Sequence, residues 1–147
     1  MLDVKIKKLD VNAVIPTYAK DGDAGLDLTA INYSYDSKND NHVYGTGLAL
    51  EIPKGYVGLI FPRSSNRKTS AYMTNHVGVI DSGYRGEVMV TFKNRDMLLS
   101  GTAFTPYKLN ERIAQLIIIP YPLINFIEVD NLEESERGEG GHGSTGN

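Results

Sequence analysis

Cysteine is absent from the 147 residues, and so is tryptophan. The missing thiols exclude a disulfide framework, a thiolate zinc or iron–sulfur site and a cysteine nucleophile. Long apolar runs are also missing. The longest, Leu116 to Ile119, is strand-sized and far short of the roughly 20 residues of a membrane helix. The start, Met1-Leu2-Asp3-Val4-Lys5, has no apolar signal core. A soluble, cytoplasmic protein that makes no membrane contact is therefore expected. Positive charge is not in surplus: 15 Lys+Arg against 18 Asp+Glu leave a net charge of -3. That argues against a nucleic-acid partner held by a basic surface. No histidine pair has zinc-ligand spacing, and no Ser/His/Asp triad is evident. No 12-residue helical stripe occurs; only Asn66 to Thr74 could hold a short helix.

Strand periodicity is what remains. Val4 and Ile6 alternate with lysines, and Leu48, Leu50 and Ile52 with Ala49 and Glu51. Val57, Leu59 and Phe61 share one face, as do Val88, Val90 and Phe92. Such period-2 patterns mark half-buried strands. Ala114 to Ile119 reads as a strand buried on both faces, and Phe126, Ile127 and Val129 as a further short one. Ser34 to Asn41 reads as a polar loop, and Pro53-Lys54-Gly55 and Asp81-Ser82-Gly83 as tight turns. The expected fold is all-β, one domain built as a sandwich or barrel. From Asn131 the chain turns acidic and then glycine-rich, as a flexible tail would be.

Five segments carry chemistry, and each has a plainer reading beside it. Asp21 to Leu28 holds three acids that could serve a cation or simply solvate a loop; Asp27, set between Leu26 and Leu28, needs a polar partner or a hydrated Mg²⁺. Arg63, Ser64 and Ser65 after Pro62 suit phosphate oxygens, or cap a short helix. Asp81, following Val79 and Ile80, could be a base or an Asx-turn residue, and Tyr84 a flat platform or a packed ring. Gln115 opens a very apolar strand, so its amide needs a partner. Arg137, the tail glycines, Ser144 and Thr145 are the ingredients of a phosphate cradle, or a disordered end.

The order of these pieces is more specific than any one of them. Asp-Ala-Gly-Leu-Asp-Leu (23–28), Pro-Arg-Ser-Ser (62–65), Gly-Val-Ile-Asp-Ser-Gly-Tyr-Arg-Gly-Glu (78–87), Arg-Ile-Ala-Gln-Leu (112–116) and Arg-Gly-Glu-Gly-Gly-His-Gly-Ser-Thr-Gly (137–146) resemble the five motifs of the homotrimeric dUTPase family. The resemblance implies a distorted jelly-roll β-barrel over 1–130 and a phosphate-clamping tail over 131–147. It implies a homotrimer in which the tail of one subunit closes over a site built by others. The implied reaction is dUTP and water to dUMP and pyrophosphate with Mg²⁺, which keeps uracil out of DNA and supplies dUMP for thymidylate synthesis.

By the same resemblance, Asp81 activates the attacking water and Asp27 holds Mg²⁺ through its water shell. Arg63, Ser64, Ser65 and Gln115 contact phosphates. Asn75, Gly78, Val79 and Ile80 belong to a hairpin that reads uracil. Tyr84 packs under the deoxyribose, Met89 is a nucleoside contact, and Arg137, Gly143, Ser144 and Thr145 grip the distal phosphates. His142 stands where most members carry a stacking Phe, and Ser65 where Gly is commoner. The competing readings are a dCTP-deaminase-like relative and a nucleotide-binding homologue without turnover.

Overall fold

The computed structural model describes residues 1–95 and 105–141. Among these residues there are ten strands and one short 3-10 helix: β1 Lys5–Lys8, β2 Leu26–Thr29, β3 Asn32–Asp36, β4 Asn41–Gly45, β5 Leu48–Glu51, β6 Tyr56–Pro62, the helical turn Ser64–Lys68, β7 Ala71–Met73, β8 Gly78–Ile80, β9 Met89–Asn94 and β10 Arg112–Pro120. No helix among them is long and apolar enough to cross a membrane. Two four-stranded antiparallel sheets, ordered β2-β10-β6-β8 and β3-β4-β9-β7, form the body, with β1 and β5 as a separate ribbon.

The sheets face each other across one apolar core. Leu28, Ile60, Ala114 and Leu116 project from the first sheet; Tyr44, Met73, Val90 and Phe92 project from the second. Tyr44, Phe92 and Tyr107 pack with ring centroids 5.0 to 6.2 Å apart, within the range of favourable edge and tilted aromatic contacts. Tyr44 donates its hydroxyl to the Tyr107 carbonyl at 2.9 Å and accepts from the Tyr107 amide at 3.0 Å. Burial pushes its phenol up to about 12. Tyr107 in turn donates to the buried Asn66 side chain at 2.9 Å, which anchors the helical turn carrying Ser64 and Ser65.

Several sequence expectations change. The polar loop expected over Ser34 to Asn41 shrinks to a turn at 37–40: Ser34 to Asp36 belong to strand Asn32–Asp36, whose Tyr33 and Tyr35 alternate with polar residues and pair β4, and Asn41 opens β4. The proposed helix over 66–74 divides into the turn Ser64–Lys68 and strand β7. The inward face of β6 is Gly58 and Ile60, so Val57, Leu59 and Phe61 lie on the outer face, only partly covered. For the same reason β10 is buried on one face, and Ile119 is exposed on the other. Phe126, Ile127 and Val129 form no strand; Phe126 is 93% and Ile127 78% exposed. Apolar residues make a strand only beside a partner edge, and this chain offers them none among the described residues. The Pro53-Lys54-Gly55 turn forms as expected, with Gly55 at φ 85°.

His42 is fully buried between the second sheet's tyrosines. Its Nδ1 lies 3.0 Å from the Tyr33 hydroxyl and its Nε2 3.2 Å from the Asn94 amide nitrogen. Both ring nitrogens therefore have a polar neighbour inside the fold. Burial holds the imidazole below its usual pKa, against a smaller opposite pull from Asp40. The folded state thus binds fewer protons than the unfolded state near pH 6, and stability falls as pH drops below about 6.5. Replacing His42 with Gln is expected to shrink the difference in melting temperature between about pH 7.5 and about pH 5. An unchanged difference contradicts this account.

Candidate active site

The motif residues gather in two separate clefts on one sheet. The first, of about 470 Å³, lies where β2 meets β10 and β6. Asp27 and Gln115 stand opposite each other in the β2–β10 register, and Gln115 stands opposite Phe61 in β6. Alternation then puts Asp27 and Gln115 on the outer face while Leu28, Ala114 and Leu116 fill the core. Arg63 enters from the end of β6. Its Nε donates to Asp27 Oδ1 at 2.6 Å and its Nη2 to Oδ2 at 3.2 Å, a two-point fork. Its Nη1 reaches Ser65 Oγ at 3.2 Å. Ser64 lines the same cleft.

Sequence reasoning gave no role to Arg112. The structure brings it here: Nη1 donates to Asp27 Oδ2 at 3.0 Å. The cause is a bulge in β10. Ala114 faces Leu28, yet Arg112 faces Thr29, so Ile113 is the extra residue. Ile113 and Ala114 both go into the core, and Arg112 emerges on the side of Asp27 and Gln115. Gly25 serves the same cleft by lacking a side chain. A Cβ there would overlap the Gln115 amide oxygen. The Gln115 nitrogen donates to the Pro62 carbonyl at 3.0 Å, which fixes the amide across the strand end.

The second cleft, about 310 Å³, surrounds Asp81 and is lined by Val79, Ile80, Tyr84, Glu87 and Met89. The expected hairpin from Asn75 to Tyr84 has only one strand arm: β8 pairs β6, no strand follows it before β9, and β9 pairs β7 in the other sheet, so a corner between sheets leads into β8. His76 turns that corner at φ 55°, and Asn75 lies against Gly78. After β8, the Tyr84 amide donates to the Asp81 carbonyl at 3.0 Å and closes the turn expected at 81–83. Tyr84 is then held by its hydroxyl on the Glu87 carbonyl at 3.0 Å, with Gly86 against its ring. Glu87 reaches back to the Gly47 amide at 2.8 Å. β8 is an edge strand, paired only with β6 among the described residues, so its other backbone edge is open.

The clefts do not merge within one chain. Asp27 lies on β2 and Asp81 directly follows β8, and those strands are three steps apart. Asp27 is level with Gln115 of β10, whereas Ile80, just before Asp81, is level through Gly58 with Ile118. Strand spacing and rise then put the two about 14 Å apart across the sheet and about 13 Å along it. Arg137 lies in neither cleft; its Nε donates to the Gly140 carbonyl at 2.9 Å. His142, Gly143, Ser144 and Thr145 lie outside the described residues.

Asp27 can serve a hydrated divalent cation. No group of three or more His, Cys, Asp or Glu side chains suited to a metal occurs among the described residues, so an all-protein cage is not available. Mg²⁺ does not need one, since it keeps several waters and takes one or two carboxylates plus phosphates. A carboxylate has about four lone-pair sites. The two arginines occupy three of those on Asp27, leaving Oδ1 room for one water-borne proton. Arg63 and Arg112 are also cancelled by Asp23 and Asp27, so the cleft by itself offers a polyphosphate no net positive charge.

The fold is an antiparallel jelly roll that presents paired guanidiniums, an amide and hydroxyls in one cleft, and an open strand edge beside an aromatic ring in another. Comparison with known proteins narrows the class. The family model for dUTPase matches residues 11–146. The deoxyuridine 5'-triphosphate nucleotidohydrolase of Nautilia profundicola is 43% identical over 146 residues, covering 99% of both chains. The protein of the same name from Nocardia farcinica is 40% identical over 146 residues, covering 97% of this chain and 85% of its own. Among solved structures, the Staphylococcus bacteriophage 80alpha dUTPase with dUPNHPP superposes with a TM-score of 0.81 at 29% identity, covering 99% of each chain. This chain belongs to the dUTPase family.

Gly25→Ala isolates the part played by the Gln115 amide. The added methyl meets the Gln115 side chain from its amide oxygen back to its Cβ, so the side chain must swing out of the cleft and stability should fall by about 1 kcal/mol. Inorganic pyrophosphate, titrated calorimetrically with Mg²⁺, should bind about tenfold more weakly as a charged hydrogen bond is lost. Unchanged affinity would rule the amide out of the cleft's chemistry.

Proposed function

We propose that this protein hydrolyses dUTP to dUMP and pyrophosphate. The observation that carries the proposal is a dUTPase-family chain whose two clefts divide the chemistry between them, with Asp81 exposed at the end of an open strand edge. A water hydrogen-bonded to Asp81 attacks the α-phosphorus, the carboxylate takes its proton, and pyrophosphate leaves. Asp27 holds Mg²⁺ through water, and Arg63, Ser64, Ser65 and Gln115 contact the phosphates. Mg²⁺, when bound, neutralises the phosphate charge that the cleft's balanced arginines and aspartates do not.

The open edge of β8 supports the base assignment. An exposed strand edge presents alternating N–H and C=O groups, complementary to the acceptor–donor–acceptor edge of uracil. Asn75, Gly78, Val79 and Ile80 line that reading strip, Tyr84 carries the deoxyribose and Met89 borders it. A site built on such pairing discriminates strongly, because a mismatched base leaves buried polar groups unpaired.

The active unit in this reading is a homotrimer with shared sites. Two features support it. Asp27 and Asp81 of one chain are too far apart to meet one substrate. The outer sheet face and the segment after β10 also leave apolar side chains uncovered, with Val79 60% and Leu123 89% exposed. Residues 1–130 form the barrel domain and residues 131–147 the tail, in which Arg137, His142, Gly143, Ser144 and Thr145 close over the distal phosphates. The setting is the cytoplasm.

One assay tests the activity: pyrophosphate release from dUTP, dCTP, dTTP and UTP, with and without Mg²⁺. Only dUTP with Mg²⁺ should turn over rapidly. Ammonia release from dCTP would instead identify a deaminase. Asp81→Asn should keep dUTP binding and lose about 10²- to 10⁴-fold in kcat, the usual share of a general base. Turnover like the wild type would remove Asp81 from its role.

A further inference from the structure

Arg63 presents a conflict. The proposed function gives it a phosphate, yet its fork is committed to Asp27 through both Nε and Nη2, and Nη1 is spent on Ser65 Oγ and, at 3.5 Å, the Arg112 carbonyl. The pair is largely shielded, with side chains only 23% and 22% exposed. If Arg63 turned away, Asp27 would be left as an uncompensated, partly buried charge, which is the costly way to break such a pair. Arg112 changes that balance. It meets the same carboxylate at Oδ2 through a single Nη1 contact, and it is 57% exposed, so it makes the bond from the solvent side. Its remaining N–H groups have no partner among the described residues.

We infer that Arg112 is a positioning residue for phosphate binding: it keeps Asp27 neutralised and in place, so that Arg63 can transfer its fork from Asp27 to an incoming phosphate. The β10 bulge is the device that makes this possible. In an unbulged register Ile113 would stand opposite Thr29, and Arg112 would be one place further along with its side chain toward the core. The inference rests on the dUTPase reading for the identity of the phosphate and on this chain's geometry for the transfer.

The test uses the full-length protein as wild type, Arg112→Ala and Arg112→Lys. The readouts are inorganic pyrophosphate binding with Mg²⁺, dUTP steady-state kinetics and melting temperature. Arg112→Ala should weaken pyrophosphate binding and raise KM for dUTP about tenfold, with kcat within about threefold, because the lost interaction acts on binding. The melting temperature should move by less than about 2 °C, since the Arg63 fork persists. Arg112→Lys should restore KM and pyrophosphate affinity to within about threefold, because one ammonium N–H can replace one Nη1 contact. In an Asp27→Asn background, Arg112→Ala should add little, because the two residues act as one unit.

Unchanged binding in Arg112→Ala overturns the inference. So does a lysine variant as weak as the alanine variant, which would mean that the guanidinium itself grips phosphate. A melting temperature that falls in step with affinity also overturns it, in favour of a purely structural role. A wild type that binds pyrophosphate with this pattern but does not hydrolyse dUTP refutes the proposed function and leaves the transfer intact.

Discussion

One carboxylate shared by two guanidiniums organises this site. Asp27 sits on the outer face of β2 between the partly buried Leu26 and the buried Leu28, where an unpaired charge would be costly. Arg63 and Arg112 reach it from the ends of two other strands, β6 and β10. The ion triad therefore ties together the strand ends from which Gln115, Ser64 and Ser65 extend. It depends on one extra residue in β10, and on the buried Tyr44–Tyr107–Asn66 chain that fixes the turn after Arg63. Core packing and site geometry are thus one construction, because the bulge that sends Ile113 inward sends Arg112 outward.

Most strands were legible because alternation survives wherever one sheet face is buried. β3 was not, because its tyrosines alternate with Asn32, Ser34 and Asp36, which look like turn residues until β4 supplies a partner. The bulge left no trace in the sequence, since Ile113 and Ala114 are both apolar and fit a strand buried on two faces. Residues 75 to 84 look like a hairpin because local turn chemistry at 81–83 does not reveal that β8 and the next strand, β9, join different sheets. Phe126 to Val129 was read as a strand because periodicity reports apolar content and not the presence of a neighbour. For the site, residue types and order were readable in the five motifs. The Arg63–Asp27 fork spans 36 positions and is a product of the fold, and so is the role of Arg112.

Incompleteness is the second organising fact. The chain builds a polar cleft with no net charge and, nearly the width of the sheet away, an open strand edge beside a carboxylate. Under the proposed function, neither half would handle a nucleoside triphosphate alone. Uncovered apolar side chains on the outer face of the same sheet and after β10 give copies of the chain a reason to associate. In the proposed homotrimer, association would join unlike halves, so that catalysis and assembly would depend on one surface.

Subunit complementation tests this sharing most directly. Arg63→Ala damages one half of the site and Asp81→Asn the other, and each variant alone should be nearly inactive. If every site takes its phosphate cleft from one chain and its Asp81 from another, unfolding an equal mixture and refolding it should restore about a quarter of wild-type activity by random assembly. A mixture that stays as inactive as its parents would mean that each site lies within a single chain, and would contradict the account.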